Sequence, residues 1–183
     1  MKFVQTPLKG AYVIEPELFE DKRGKFERIF CEKEFKEIGH SKTIVQINHS
    51  LTKNKGTLRG MHYQEPPMSE TKMVTCLNGS VYDVIIDLRK GSNTFLGWFG
   101  ETLSSGSRCV MYVPEGFAHG FQALEHDCEL LYFHTEFYNP EYERDVRFDD
   151  PKIDIKWPLD ITEISERDKN HALLSASFEG VLV

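Results

Sequence analysis

Short runs of alternating apolar and polar residues fill the middle of the 183-residue chain. Their two-residue period is typical of β-strands, and turn-forming pairs such as Asn78-Gly79 and Ser105-Gly106 separate several of them. Many short strands without intervening helices predict an antiparallel sandwich or barrel. The predicted strands are residues 25–30, 43–50, 57–64, 72–77, 80–89, 98–103, 108–114, 118–124 and 128–135.

Helical patterning is confined to two short segments. Residues 32–39 form one candidate, which ends at a glycine, and residues 165–170 form a single turn. The chain from Asn139 onward is rich in acidic residues and prolines, and we expect it to wrap around the outside. We find no repeat, linker or second domain. The sequence therefore predicts one all-β domain over residues 1–183, a jelly-roll barrel with short peripheral helices.

Composition narrows the classes of protein. Hydrophobic residues make up 40% of the chain and charged residues 28%, which is ordinary for a globular protein. No apolar run reaches the ~20 residues that a membrane span requires, and the first residues lack the apolar segment of a signal peptide. The four cysteines include no closely spaced pair, so we predict reduced thiols, no structural zinc and a cytoplasmic location.

The net charge of −7 argues against nucleic acid as a partner, because no basic stripe is present to neutralise phosphates. It does not exclude a small anionic ligand. A few lysines and arginines that converge in one pocket can bind a diphosphate within an acidic protein.

Several predicted strands place a titratable group on the same face as apolar residues. His62 shares its face with Leu58 and Gln64, whereas Arg59 points the opposite way unless a bulge at Gly60 turns both side chains into one pocket. The same pattern occurs on three other strands, for Lys72, His119, Tyr132 and His134. A polar pocket inside the barrel explains this pattern.

Each of these residues also has a structural interpretation when it is taken alone. His62 can be a hydrogen-bonded core histidine, Tyr132 an aromatic residue at a rim, and Lys72 a surface lysine. The carboxylates of Asp83, Asp87 and Asp168 are most simply explained as solvent-facing or turn-bonding groups. Only the joint occurrence of these residues favours a catalytic site.

Six motifs resemble, in the same order, those of the dTDP-4-dehydrorhamnose 3,5-epimerase family. They are LRGMHYQEPP, TKMVTCLNGSVYDVIIDLRKGSNTF, YVPEGFAHGFQAL, LLYFHTEFYNPEYE, RFDDPKIDIKWP and ISERD, and the resemblance runs from about Phe19 to Asp168. It implies a cupin-like jelly-roll homodimer that uses no metal or organic cofactor. The implied substrate is a nucleotide-linked 4-keto-6-deoxyhexose, typically dTDP-4-dehydro-6-deoxy-D-glucose.

The resemblance also implies roles for individual residues. His62 corresponds to the catalytic base, Asp168 to the carboxylate that orients it, and Tyr132 to the proton donor. Lys72 and Arg59 lie at positions near the sugar ketone and the diphosphate, and Tyr138 at that of the aromatic ring that stacks on thymine. Further substrate contacts are predicted for Arg23, Arg28, Gln46, Asn48, His119, His134, Glu143 and Arg167.

The chemistry of α-proton abstraction agrees with these residue types. A proton next to a ketone becomes removable when a fixed cation such as Lys72 stabilises the enolate oxygen as it forms. An imidazole, with a reference pKa of ~6.5, is a suitable base near neutral pH, and a carboxylate on its other nitrogen fixes its tautomer.

A metal site is the other interpretation of a histidine in a jelly roll. Metal-binding cupins carry two histidines one residue apart on one strand, followed by a glutamate and a further histidine. Here His62 is followed by Tyr63 and Gln64, so we expect fewer than three ligands to converge and predict no metal.

The chain departs from the family's motifs in three places, and two of these departures concern the predicted pocket. The common LYKTT is LYFHT here, so that a lysine is lost and a histidine, His134, appears, and the frequent QDN is Gln46-Ile47-Asn48. The acidic residue that follows the family's RGxF motif is also replaced, near Glu27-Arg28. These changes leave the nucleotide and the inverted carbon open.

Three functional hypotheses follow. The first is an epimerase that acts at C5, or at C3 and C5, of a nucleotide-linked ketosugar. The second is a single-site epimerase or 3,4-ketoisomerase for a CDP- or GDP-linked sugar. The third is a non-catalytic cupin that binds sugar nucleotides.

Overall fold

The computed structural model describes residues 1–183, and most of its regular structure is antiparallel β-strand. Two short helices, α1 (Glu32–Phe35) and α2 (Glu166–Lys169), accompany the strands, and a 3₁₀ turn at Lys36–Ile38 extends the first. The helices are too short and too polar to span a lipid bilayer. The strands are β1 (Lys2–Gln5), β2 (Tyr12–Glu15), β3 (Leu18–Asp21), β4 (Gly24–Glu27), β5 (Gln46–Thr52), β6 (Thr57–Gln64), β7 (Lys72–Asn78), β8 (Ser80–Asp87), β9 (Trp98–Ser104), β10 (Val110–Val113), β11 (Phe117–Ala123), β12 (Cys128–His134), β13 (Glu143–Asp145) and β14 (Glu163–Ile164).

Two sheets face each other across the main core. The first has the order β1-β2-β10-β7-β12-β5, and the second has the order β13-β6-β11-β8-β9, with β14 parallel to β6. Buried side chains from both sheets, such as Val74 and Met111 from the first and Ile85 and Phe121 from the second, form one cluster between them. This arrangement confirms the all-β, cupin-like jelly roll predicted from the sequence.

The C-terminal third is less peripheral than expected. Ile153 and Ile155 pack against Met61 and Ile86 on the outer face of the second sheet, and β13 adds a strand beside β6. The segment thus wraps around the outside of the barrel, as predicted, but it also builds a second core cluster against the sheet. The reason is that the apolar side chains of the segment, although set among charged ones, cover a sheet face that would otherwise be exposed to water.

A bulge in β6 brings Arg59 and His62 to one side of the second sheet. On β11, His119 pairs with His62 and Phe121 pairs with Arg59. Between these two pairs the chain advances by two residues on β11 but by three on β6, so β6 carries one extra residue. Gly60, at the extra position, has a φ of +131°, and a Cβ there would lie 2.5 Å from Cα of Gly120. The bulge predicted at Gly60 is therefore present, and it requires glycine.

The turn after β8 depends on Asp87, which is fully buried. Its carboxylate accepts hydrogen bonds from Arg89 Nη2 at 2.7 Å, Ser92 Oγ at 2.5 Å and Thr94 Oγ1 at 2.6 Å. Burial alone would raise the pKa of Asp87, but these donors lower it from 3.8 to about 2. Of the two interpretations offered by the sequence, turn-bonding is therefore correct for Asp87.

This shift predicts a pH-dependent contribution to stability. Because the folded-state pKa lies below the unfolded value, the carboxylate stabilises the fold by about 2 kcal/mol above pH ~4, and this is lost as the pH falls towards ~2. We compare the free energy of unfolding of the wild type with that of Asp87→Asn. The wild type should be more stable than the variant at pH 6, and we expect its advantage to be about 1 kcal/mol smaller at pH 3. Urea unfolding of both proteins at each pH measures the two free energies, and an advantage that does not change with pH contradicts the prediction.

Candidate active site

A cavity of about 770 Å³ opens between the two sheets. Strands β5, β7 and β12 form one wall, β6 and β11 form the other, and the segment from β14 to α2 closes one side. Twelve of the residues predicted from the sequence line it: Gln46, Asn48, Arg59, His62, Lys72, His119, Tyr132, His134, Tyr138, Glu143, Arg167 and Asp168.

Two predicted residues lie outside this cavity. Arg23 is exposed in the turn of the β3–β4 hairpin, where its Nη2 donates to Asp21 at 2.5 Å. Arg28 is also exposed, and it donates to Glu34 at 2.6 Å. Within a single chain neither reaches the other candidates, and their contact with substrate stays a prediction.

His62 and Asp168 form a hydrogen-bonded pair. Nε2 of the imidazole lies 2.9 Å from Oδ1 of Asp168, whose other oxygen accepts from the backbone N–H of Gly60 at 3.3 Å. Burial of this carboxyl favours its neutral form, but the hydrogen bonds from His62 and the Gly60 N–H, the attraction of the His62 charge and the contact with Ser165 together outweigh burial and lower the pKa of Asp168. The ionised carboxylate holds the N–H on Nε2, so that Nδ1 is the nitrogen left to accept a proton.

Local structure at the start of α2 positions this carboxylate. Ser165 is the N-cap residue of the helix, and its hydroxyl accepts from the backbone N–H of Asp168 at 3.0 Å. The Asp168 side chain is thereby turned towards β6, 106 positions away in the sequence. A serine followed by acidic residues is a common pattern at the N-terminus of a helix. The pattern does not indicate which strand the helix packs against.

Tyr132 projects from the opposite wall. Its hydroxyl lies 3.1 Å from Oγ of Ser50, and its ring stands edge-on to His119 with centroids 6.3 Å apart. Burial raises the pKa of Tyr132 above its usual value, so the phenol remains protonated at neutral pH. An imidazole on β6 and a phenol on β12 therefore face the cavity from different sheets.

Glu70 links two of the candidates and was not predicted from the sequence. Its carboxylate lies 3.1 Å from Lys72 Nζ and 2.7 Å from His134 Nδ1. Burial alone would raise the pKa of Glu70, but Lys72 and His134 together lower it. Glu70 lies between two predicted strands, where no periodicity identifies it. His134, as its strand position predicted, lies in the pocket.

A second buried pair lies behind the cavity wall. Nε2 of His119 lies 2.7 Å from Oδ2 of Asp83, and Asp83 is fully buried. The interpretation of Asp83 as solvent-facing or turn-bonding was therefore wrong. It shares the inward face of β8 with Val81 and Ile85. Burial raises the pKa of Asp83, and the opposing effect of His119 offsets this only in part.

Polar side chains form the outer rim of the cavity. The hydroxyl of Tyr138 donates to Glu143 at 2.8 Å, and Arg167 lies 2.8 Å from the same carboxylate. The Tyr138 ring is more than half exposed. An exposed aromatic ring beside a guanidinium suits a planar base with an attached phosphate.

More metal-ligand side chains surround His62 than the sequence indicated. Strand β13 places Asp145 directly opposite His62, and His171 follows α2. Donor atoms of His62, Asp168 and His171 all lie within 4.8 Å of one another. The expectation that fewer than three ligands converge was thus wrong, because the docking of α2 brings Asp168 and His171 to His62, and β13, which adds Asp145, is too short to be recognised from its pattern.

Comparison with known proteins gives consistent matches over nearly the whole chain. The family model described as dTDP-4-dehydrorhamnose 3,5-epimerase matches residues 5–176. An enzyme with that description from Methanothermobacter thermautotrophicus is 44% identical over 173 residues, which cover 92% of each chain.

Solved structures agree with this match. A dTDP-4-dehydrorhamnose 3,5-epimerase from Elizabethkingia anophelis superposes with a TM-score of 0.93 at 41% identity, covering 97% of this chain and 98% of that chain. A dTDP-6-deoxy-D-glucose-3,5-epimerase from Legionella pneumophila, in complex with dTDP-4-keto-L-rhamnose, gives a TM-score of 0.89 at 36% identity, with coverages of 94% and 92%.

Proposed function

The chain belongs to the dTDP-4-dehydrorhamnose 3,5-epimerase family, and from this membership we propose that it inverts C3 and C5 of a dTDP-linked 4-keto-6-deoxyhexose. One observation carries the proposal for the site. The His62–Asp168 pair and the Tyr132 phenol face one cavity from opposite sheets, and Lys72, at the start of β7, lines the same cavity.

The first half of the reaction is proton abstraction. Nδ1 of His62 takes the proton from the carbon next to the ketone, and the electron pair of that C–H bond moves to the C4 oxygen as an enolate. Asp168 stabilises the imidazolium that results. The ammonium of Lys72 stabilises the negative oxygen, and this is worth most where water is excluded.

The second half is protonation from the other face of the sugar. Tyr132 transfers its phenolic proton to the carbon as the C4 carbonyl re-forms, and the configuration is inverted. His62 then loses its extra proton to solvent and the Tyr132 phenolate takes one up, so that the pair is reset for the second carbon. The base and the acid must lie on opposite sides of the sugar for this outcome, and their positions on β6 and β12 support it. No step changes an oxidation state overall, so the proposed reaction requires no redox cofactor, and Lys72 supplies the positive charge for the enolate oxygen.

The rest of the cavity supports a nucleotide-linked substrate. Arg59 and Arg167 line it and offer guanidinium groups for a diphosphate, and Tyr138 offers a ring for the base. The relative from Legionella pneumophila was solved with a dTDP-linked ketosugar. A volume of about 770 Å³ is within the usual range for a pocket of this kind.

We also propose that the protein is a cytoplasmic homodimer of one 183-residue domain. The β3–β4 hairpin supports an assembly, because Phe19 and Phe26 on it are more than half exposed. Large exposed apolar side chains that lie together often mark an interface. The predicted substrate contacts of Arg23 and Arg28, which lie outside the cavity of a single chain, are compatible with such an assembly.

Solvent deuterium tests the reaction directly. We expect NMR of dTDP-4-keto-6-deoxyglucose, incubated with the protein in deuterated water, to show deuterium at C3 and C5 and the L-lyxo product. CDP- and GDP-linked ketosugars serve as parallel substrates and are expected to react more slowly.

Other outcomes identify the alternatives. Deuterium at one carbon alone indicates a single-site epimerase, and migration of the ketone to C3 indicates a ketoisomerase. Thermal stabilisation by the ligands without any hydrogen exchange indicates a binding protein, and contradicts the proposed enzyme.

A further inference from the structure

Four side chains around the catalytic histidine offer a set of metal donors. Nε2 of His62 lies 2.9 Å from Asp168 Oδ1 and 3.6 Å from Asp145 Oδ1. Nε2 of His171 lies 3.3 Å from Asp145 Oδ2 and 3.7 Å from Asp168 Oδ1. Two imidazole nitrogens and two carboxylates thus alternate around a small ring.

Three of these residues form a compact set of donors, because one donor atom each from His62, Asp168 and His171 lies within 4.8 Å of the others. Asp145 contacts the two imidazoles through different oxygens, Oδ1 for His62 and Oδ2 for His171. Zinc binds imidazole nitrogen and carboxylate oxygen at ~2.0–2.2 Å, so neighbouring ligand atoms in a tetrahedral site are about 3.3–3.6 Å apart. The contacts of 2.9 to 3.7 Å bracket that value, and rotation of the Asp145 carboxylate to present one oxygen to the ion supplies the fourth ligand.

The surroundings favour a dication with a preference for nitrogen. Three carboxylates, those of Glu143, Asp145 and Asp168, surround His62 and His171, and Arg167 is ion-paired with the first two of them. Two imidazoles among the ligands favour zinc and similar transition metals over magnesium or calcium.

Existing hydrogen bonds already orient the ligands. Asp168 Oδ2 accepts from the backbone N–H of Gly60, which leaves Oδ1 facing the cluster. Arg167 holds both oxygens of Asp145 at 3.1 Å. The remaining donor, Nε2 of His171, is buried and has no hydrogen-bond partner. Outer hydrogen bonds of this kind fix ligand orientation in metal sites.

We propose that His62, Asp145, Asp168 and His171 bind one Zn²⁺ or a similar transition-metal dication, and that this ion inhibits the epimerase. A metal on Nε2 of His62 occupies the nitrogen that otherwise carries the N–H. The proton of the neutral ring then resides on Nδ1, which can no longer accept a proton from the sugar. Inhibition rests on the proposed function, whereas binding of the ion does not.

Binding is tested on the tag-free, metal-stripped full chain. We expect calorimetry with ZnCl₂ to show one equivalent bound, and CoCl₂ to give the visible absorption of four-coordinate cobalt with nitrogen and oxygen ligands. His171→Ala and Asp145→Asn should each weaken zinc binding at least about 10-fold. His126→Ala, which removes an exposed histidine outside the cavity, is the matched control and should bind as the wild type does.

The inhibition test uses the same proteins in the deuterium assay. Zinc should inhibit the wild type and His126→Ala at equal concentrations, whereas His171→Ala should keep its metal-free activity and require at least about 10-fold more zinc. Zinc binding that is unchanged in both His171→Ala and Asp145→Asn overturns the proposal, as does cobalt absorption with thiolate character. An inactive metal-free protein that still binds zinc through His171 overturns the proposed function and leaves this site standing.

Discussion

Replacing His62 by alanine is expected to lower deuterium incorporation at both C3 and C5 by about 10²- to 10⁴-fold, which is the usual contribution of a general base. The two positions should decline together, because one imidazole serves both carbons in the proposed mechanism. The His62 side chain is 31% exposed and adds little to the core, but its loss leaves the buried Asp168 carboxylate without its imidazole partner, so we expect some decrease in the thermal unfolding temperature.

A more conservative variant separates chemistry from structure. His62→Asn keeps a donor towards Asp168 but has no basic nitrogen, and it is expected to be as inactive as His62→Ala. His126→Ala, at an exposed position outside the cavity, should retain full activity. If His62→Asn epimerises at a rate within a few-fold of the wild type, His62 is not the base.

The strands in the middle of the chain could be predicted from the sequence because successive side chains along each strand point into two different environments. Side chains on β7 and β12 point in turn to the core between the sheets and to the outer cluster around Phe35, so their apolar residues are frequent and regular. Strands β1 and β3 are short, and their side chains are mostly exposed, so they have little pattern to detect.

The candidate site could be predicted in part for the same reason. Strand parity placed Lys72, Tyr132 and His134 on inward faces, as the structure has them. Parity alone does not pair His62 with Asp168, since that contact joins residues 106 positions apart and depends on where α2 docks. Only the family resemblance linked these two residues before the structure did.

The residues that were missed share a physical cause. Asp83 and Glu70 are buried carboxylates, which are stable only because His119, Lys72 or His134 lies within hydrogen-bonding or ion-pairing distance. A carboxylate among apolar neighbours suggests solvent exposure when its partner is unknown. Such pairs become visible only when strands from distant parts of the chain are assembled.

Tyr132→Phe is expected to separate hydrogen exchange from inversion. The variant removes only the phenolic proton donor, so His62 can still abstract the α-proton and return a deuteron to the same face of the sugar. We expect formation of the inverted product to fall by about 10²- to 10⁴-fold. Deuterium should continue to enter the unreacted ketosugar with its configuration retained, at a rate that exceeds inversion.

The contrast between the two variants identifies the acid. His62→Ala should lose exchange and inversion together, whereas Tyr132→Phe should lose inversion far more than exchange, and NMR of recovered substrate and product measures both. Tyr142→Phe, outside the cavity, controls for loss of a phenol and should behave as the wild type. Because burial raises the pKa of Tyr132, its phenol remains a proton donor throughout the neutral range. Inversion at the wild-type rate in Tyr132→Phe assigns the second proton transfer to another group on the wall opposite His62.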